Sequence, residues 1–297
     1  MLTLRPISPA LAALLIAGSL APPASSTVLT AQQFNVYRDG APADWLLGNS
    51  RLLADSFDNN DAYVGPNYTG SAQAAAYSLQ GLDAGADAAL AVQESGGALR
   101  LDPSYGAVSA NAQGGLGTSN RLRLLTNIVD ANSGLPRTRS FAGALRLSLA
   151  DMPDVGQSFG LRQSDSFSNN NDVIELSVSG GASGDSIVFR KQDFVAGTVT
   201  VLGSTTLLAP QGADGLVLSI SHSTANTDTI FGSYGFADAS GVLIGNLTTF
   251  ANSTTAFDGE AYGRFELRAT GPVPEPGSGA LLATGLGWLA TRLRRQL

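Results

Sequence analysis

Two short runs are dense in oxygen-bearing side chains: Asp55-Ser56-Phe57-Asp58-Asn59-Asn60-Asp61 and Asp165-Ser166-Phe167-Ser168-Asn169-Asn170-Asn171-Asp172. Calcium takes about six to eight oxygen ligands in flexible geometry, and loops of this composition can supply them. Asp55, Asp58, Asp61, Asp165 and Asp172 are therefore candidate calcium ligands. Neither run has the D-x-[DN]-x-[DN]-G order of the helix-loop-helix calcium loop. Asp and Asn also form turns by hydrogen-bonding their own backbone, so turn and metal site both remain open readings. The likeness of the two runs fits either a weak repeat or two equivalent sheet-edge loops.

Other chemistry is sparse. His222 is the single histidine, and there is no cysteine. A Ser-His-Asp hydrolase would have to use His222, yet no G-x-S-x-G elbow occurs, and a lone histidine at a strand edge reads as polar surface. A multi-histidine zinc site and thiolate chemistry are excluded. Glycoside hydrolysis needs two positioned carboxylates, and the body offers Glu94, Glu175, Glu260 and Glu266. Glu260 and Glu266 in one unbroken strand would face the same side about 20 Å apart, too far for a carboxyl pair. Glu175 reads as lying on a solvated strand face. The residues argue against an enzyme. Tyr63, Tyr68, Tyr77 and Tyr105, with Phe231, Tyr234 and Phe236, could stack on sugar rings or fill a core.

The C-terminus carries the most specific signal. Val273-Pro274-Glu275-Pro276 precedes an uncharged stretch from Gly277 to Ala290, in which Leu281, Leu282, Leu286, Trp288 and Leu289 supply the apolar mass. Arg292, Arg294 and Arg295 close the chain. The prolines hold the polar tripeptide extended and accessible. The apolar stretch is shorter than the roughly 20 residues of a full span, which snorkelling arginines or a thinned bilayer accommodates. The basic cluster stays cytoplasmic by the positive-inside rule, leaving the body outside. This three-part tail resembles the PEP-CTERM sorting signal. The resemblance implies recognition by exosortase, a membrane protease-transferase of Gram-negative bacteria, with a transient stay in the inner membrane before release to the cell surface or extracellular matrix.

The N-terminus agrees. Arg5, an apolar run from Ala10 to Ala21 and Pro22-Pro23-Ala24-Ser25-Ser26 form the three regions of a secretory signal peptide. The expected organisation is a signal peptide over 1–26, a body over 27–271 and a sorting segment over 272–297. Setting aside Arg5, Glu275 and the three tail arginines leaves 13 basic against 23 acidic side chains, out of 17 and 24. Such an acidic body disfavours nucleic acid as a partner.

The body must position whatever chemistry it has on strands. Ile174, Leu176 and Val178 alternate with Glu175 and Ser177. Leu216, Leu218 and Ile220, Phe265 and Leu267, Leu145, Leu147 and Leu149, and Leu122 and Leu124 show the same period of two. Further strands are predicted near 73–79, 88–93, 98–101, 158–163, 186–190, 197–203, 229–237 and 242–248, and a short helical turn over Ala31 to Phe34. The expected class is all-β, an antiparallel sandwich flanked by an N-terminal signal helix and a C-terminal hydrophobic helix.

The order of Ser56-Phe57-Asp58, the strand Gly96-Gly97-Ala98-Leu99-Arg100-Leu101 and the hairpin signal Gly212-Ala213-Asp214-Gly215 before Leu216 resembles the concanavalin A-like lectin/glucanase sandwich. That resemblance implies carbohydrate binding or cleavage, although the E-x-D-x-x-E signature of the glucanases is absent. Three functions follow: an exopolysaccharide-associated surface or matrix protein with a structural or adhesive role, a carbohydrate-binding module with or without calcium, and a sandwich glycosidase.

Overall fold

Phe141, Leu145 and Leu147 alternate with Ala142, Ala144 and Arg146, and a strand built this way must cover both of its faces. The computed structural model describes residues 28–38, 51–57, 77–110, 118–126, 135–136, 141–164, 173–193, 196–222, 229–255 and 262–272. These lie within one compact unit, Ser26–Pro272.

In chain order the elements are β1 (Leu29–Arg38), β2 (Arg51–Asp55), β3 (Tyr77–Gln80), the short helix α1 (Ala88–Ala91), β4 (Val92–Glu94), β5 (Leu99–Leu101), β6 (Ala107–Ala110), β7 (Thr118–Thr126), β8 (Leu135–Pro136) and β9 (Phe141–Ser148). There follow β10 (Ser158–Ser164), β11 (Val173–Ser179), β12 (Ser186–Asp193), β13 (Thr198–Thr206), β14 (Gly215–His222), β15 (Thr229–Ala237), β16 (Thr248–Thr249), β17 (Thr254–Thr255) and β18 (Tyr262–Pro272). The first sheet runs β16-β15-β14-β9-β1-β5-β4, with β17 on β15 and β2 on β1. The second runs β13-β12-β11-β10-β18-β7-β3, with β6 on β7 and β8 on β18.

The two sheets pack face to face. Phe34, Leu145, Leu147, Leu216, Leu218 and Ile220 of the first share one core with Phe159, Leu161, Leu176, Phe189, Phe265 and Leu267 of the second. Phe141 on β9 meets Phe265 on β18 edge to face, with ring centres 6.2 Å apart. Two glycines make room for aromatic rings from the facing sheet. A Cβ on Gly143 would come within 2.5 Å of Phe265, and one on Gly232 within 2.6 Å of Phe189. A second, smaller cluster on the outer face of the first sheet joins Tyr37, Ala142, Ala144, Val217 and Ala237, and Leu243 and Leu247 lie over it. All eight residues of β9 are consequently buried.

The alternating runs fold as strands, and five expectations are corrected. Ala31 to Phe34 lies inside β1, because β2, β5 and β9 all pair with it and the ladder overrides local turn propensity. Residues 88–91 are helix before the short β4. Asp87 caps that turn, its side chain accepting from the Ala89 N–H. The 242–248 run contributes only the two-residue β16 and an isolated bridge at Leu243, since its leucines pack as a cover. The glycine turn around Gly212 joins β13 and β14, which belong to different sheets, so it is a crossover and not a hairpin. Glu175, expected on a solvated face, is buried. The signal and C-terminal helices fall on residues outside those described. Among the described residues no helix is long and apolar enough to cross a membrane.

Candidate functional site

Period-two alternation in the second sheet sends one phase of side chains into the core and the other outward. On the outward phase the register sets Arg190 opposite Glu175, Glu175 opposite Arg162, and Arg162 opposite Glu266. The result is a charge ladder across β12, β11, β10 and β18. Arg162 is shared between the two acids, with its Nε 3.3 Å from Glu175 and its Nη1 3.3 Å from Glu266. Arg190 also donates to Glu175. Arg268 donates to the other Glu175 oxygen at 2.8 Å, and Arg123 reaches Glu266 at 3.5 Å. The Arg162, Glu175, Glu266 and Arg268 side chains are each no more than 5% exposed.

Burial by itself would raise the Glu175 carboxyl, but Arg190, Arg268 and Arg162 together hold it well below the usual carboxylate range. A permanently ionised carboxylate cannot act as a general acid. Glu175 and Glu266 are the two glutamates that the topology brings onto one face, and both are bound into arginine pairs. This face is a structural ion network, and it offers no hydrolytic acid–base pair.

An open site lies on the outer face of the first sheet. Thr30 on β1 stands opposite Arg100 on β5, and Arg100 opposite Gln93 on β4. This row floors a groove of about 250 Å³ whose walls are Val28, Leu90, Asp102 and Asp151. Asp102 is held by its local role as a cap, its Oδ1 accepting from the Ser104 N–H at 2.9 Å and the Ser104 hydroxyl at 2.6 Å. Asp151 ends the 3-10 turn that leads out of β9. Arg100 and Gln93 are exposed, and Leu90 is 50% exposed. The groove therefore offers a guanidinium donor, an amide, a hydroxyl and two carboxylate acceptors beside a small apolar wall. That set suits a ligand rich in hydroxyl groups.

The residues singled out in the sequence are placed unevenly. Asp55 ends β2, is buried, and accepts from the Phe57 N–H at 2.9 Å; Phe57 adopts φ +51°. Asp55 thus makes an Asx turn. Asp58, Asp61, Asp165 and Asp172 lie outside the described residues, as do Val273, Pro274, Glu275, Pro276 and the whole tail. Among the described residues no group of three or more His, Asp or Glu side chains is gathered as a metal site. His222 ends β14 as expected, but it is buried, stacked on Phe141 at 4.7 Å, and so is not surface. Tyr77 is buried in the core, and Tyr105, Tyr234 and Phe236 pack against it. The exposed large hydrophobic residues among those described are aliphatic. Sequence reasoning missed the groove residues Thr30, Gln93, Arg100, Asp102 and Asp151. They fall on three strands and two turns, and no spacing along the chain unites them.

No protein-family model matches the chain. No curated protein matches it. Among solved structures, it is similar to the CBM2 module of Lactobacillus casei BL23 phage J-1 evolved Dit. The identity is 11%, the match covers 80% of this chain and 90% of that one, and the TM-score is 0.32, too low to carry an argument about shared fold or ligand.

Proposed function

We propose that the chain is an exported, non-catalytic β-sandwich of the cell surface that holds polysaccharide in the Thr30–Arg100–Gln93 groove. Its tail is processed at Val273-Pro274-Glu275-Pro276 by an exosortase-like membrane enzyme after a transient stay in the inner membrane. The observation that supports binding is the row of polar side chains across β1, β5 and β4, in which Arg100 and Gln93 are open to solvent beside the buried Thr30, flanked by Asp102 and Asp151. It pairs donors with acceptors, as sugar hydroxyls require. The arginine-locked Glu175 supports the non-catalytic part.

The test is titration calorimetry of the full chain with exopolysaccharide from the producing cells, in calcium and again with chelator. Saturable heat is expected, and Arg100→Ala should weaken it about tenfold or more with Tm unchanged, because one charge-assisted contact is lost. Calcium dependence would assign the two Asp/Asn runs as cation sites. No heat in either condition overturns the binding reading and leaves a purely structural role. The sorting reading has its own test, since Glu275→Ala and deletion of 292–297 should each leave the tail uncut in the producing cell. Normal C-terminal removal in both variants overturns it.

A further inference from the structure

Among the described residues the ion network on the second sheet does not balance: Arg121, Arg123, Arg162, Arg190 and Arg268 face two acids, Glu175 and Glu266. Both acids are already committed, Glu175 to Arg190, Arg268 and Arg162, and Glu266 to Arg162 and Arg123. The surplus sits at one end. Arg268 on β18 is directly opposite Arg123 on β7, with Arg121 two residues away on the same face of β7. Like charges directly opposite in a ladder repel, their Cβ atoms being about 4.5–5.5 Å apart. Arg123 reaches Glu266 and donates to Gln80 Oε1 at 2.7 Å, whereas the attraction of Arg121 to Glu266 is outweighed by burial and by Arg123 and Arg268.

The unmet groups of this face are all donors. The Nε atoms of Arg121, Arg123, Arg190 and Arg268 and the Nε2 of Gln192 find no hydrogen-bond partner, and the Arg162 Nε meets Glu175 at ion-pair distance only. Gln192 is fully buried, and the Arg268 side chain is 5% exposed. Buried donors in excess, carrying excess positive charge, are costly unless an acceptor-rich anion completes them. Burial and the neighbouring Arg123 and Arg268 lower the Arg121 guanidinium to about 10, in keeping with uncompensated charge. Arg121 is only part-buried, which leaves this end of the network within reach of solvent.

We propose that Arg121, Arg123 and Arg268 form a binding site for a tetrahedral oxyanion, phosphate or sulfate, either free or carried as a substituent on a polysaccharide. Two doubly charged oxygen-rich groups of this kind match planar guanidinium forks, and both supply acceptors to donors that have none. The site is on the opposite sheet from the groove and does not depend on it.

The test uses the full chain with inorganic sulfate and phosphate, in thermal unfolding against sodium chloride of equal ionic strength and in titration calorimetry. The expected results are a Tm that rises with the oxyanion beyond the chloride control, and saturable binding. Arg121→Gln should weaken binding about tenfold or more. The same variant should raise Tm in chloride by about 2 °C, because it relieves repulsion. Arg100→Gln, in the groove, should bind the oxyanion as the parent does. Dextran sulfate binding more tightly per sulfate than the free ion would assign the site to a polymer substituent, and equal affinity would assign it to the free ion; either supports the proposal. An equal Tm rise in both salts, unaltered binding by Arg121→Gln, or a lower Tm of that variant in chloride would overturn it.

Discussion

Arg162 stands between two carboxylates, and its neighbours decide what each of them can do. Glu175 accepts from Arg190 and Arg268 and lies at ion-pair distance from Arg162, so its removal costs more than one ion pair. Glu175→Gln should destabilise the protein by about 3–5 kcal/mol, the usual cost of breaking a buried pair from one side. Urea unfolding of the variant and the parent measures it. The pH dependence follows from the depressed carboxyl. Its folded value lies below the unfolded reference of 4.5, so its contribution is complete above that reference and is lost as pH falls from there toward the folded value. The urea midpoint of the parent should therefore fall below about pH 4.5. In Glu175→Gln this acid-sensitive component should be missing. An unchanged acid profile in the variant would assign the loss to other carboxylates.

At the scale of elements, packing between the sheets depends on absences as much as on side chains. Gly232 on β15 leaves space for the Phe189 ring of the facing sheet. Gly232→Ala should cost about 1–3 kcal/mol by overpacking, and the double variant Gly232→Ala with Phe189→Leu should recover part of it. Thermal unfolding of the pair decides the point. The strands themselves were legible in the sequence, because Ile174-Glu175-Leu176 and Phe265-Glu266-Leu267 alternate without interruption. The same alternation misled on Glu175. Period two says which residues leave the core, but it does not say whether the face they reach is wet. Ala31 to Phe34 was misread for a related reason, since local propensity is outweighed where three strands pair with one. The groove was illegible because Thr30, Gln93 and Arg100 become neighbours only through register. The five-arginine face had one faint sequence signal: basic residues cluster on the outward phase of strands in an otherwise acidic body.

For the molecule as a whole, the order of strands along the chain differs from their order across the second sheet. β18, the last of the described strands, lies inside the second sheet, bonded to β10 on one side and β7 on the other over seven register pairs each. It also supplies Phe265 and Leu267 to the core and Glu266 and Arg268 to the ion network. A chain ending at residue 261 should therefore show no cooperative unfolding transition, which urea titration with fluorescence detection would reveal; a two-state transition would mean that the remaining strands close without it. A polypeptide emerging from its amino end thus lacks the strand that joins β10 to β7 until residues 262–272 have been added. Closure of the second sheet is then a late, single event, timed by the arrival of the residues that directly precede Val273.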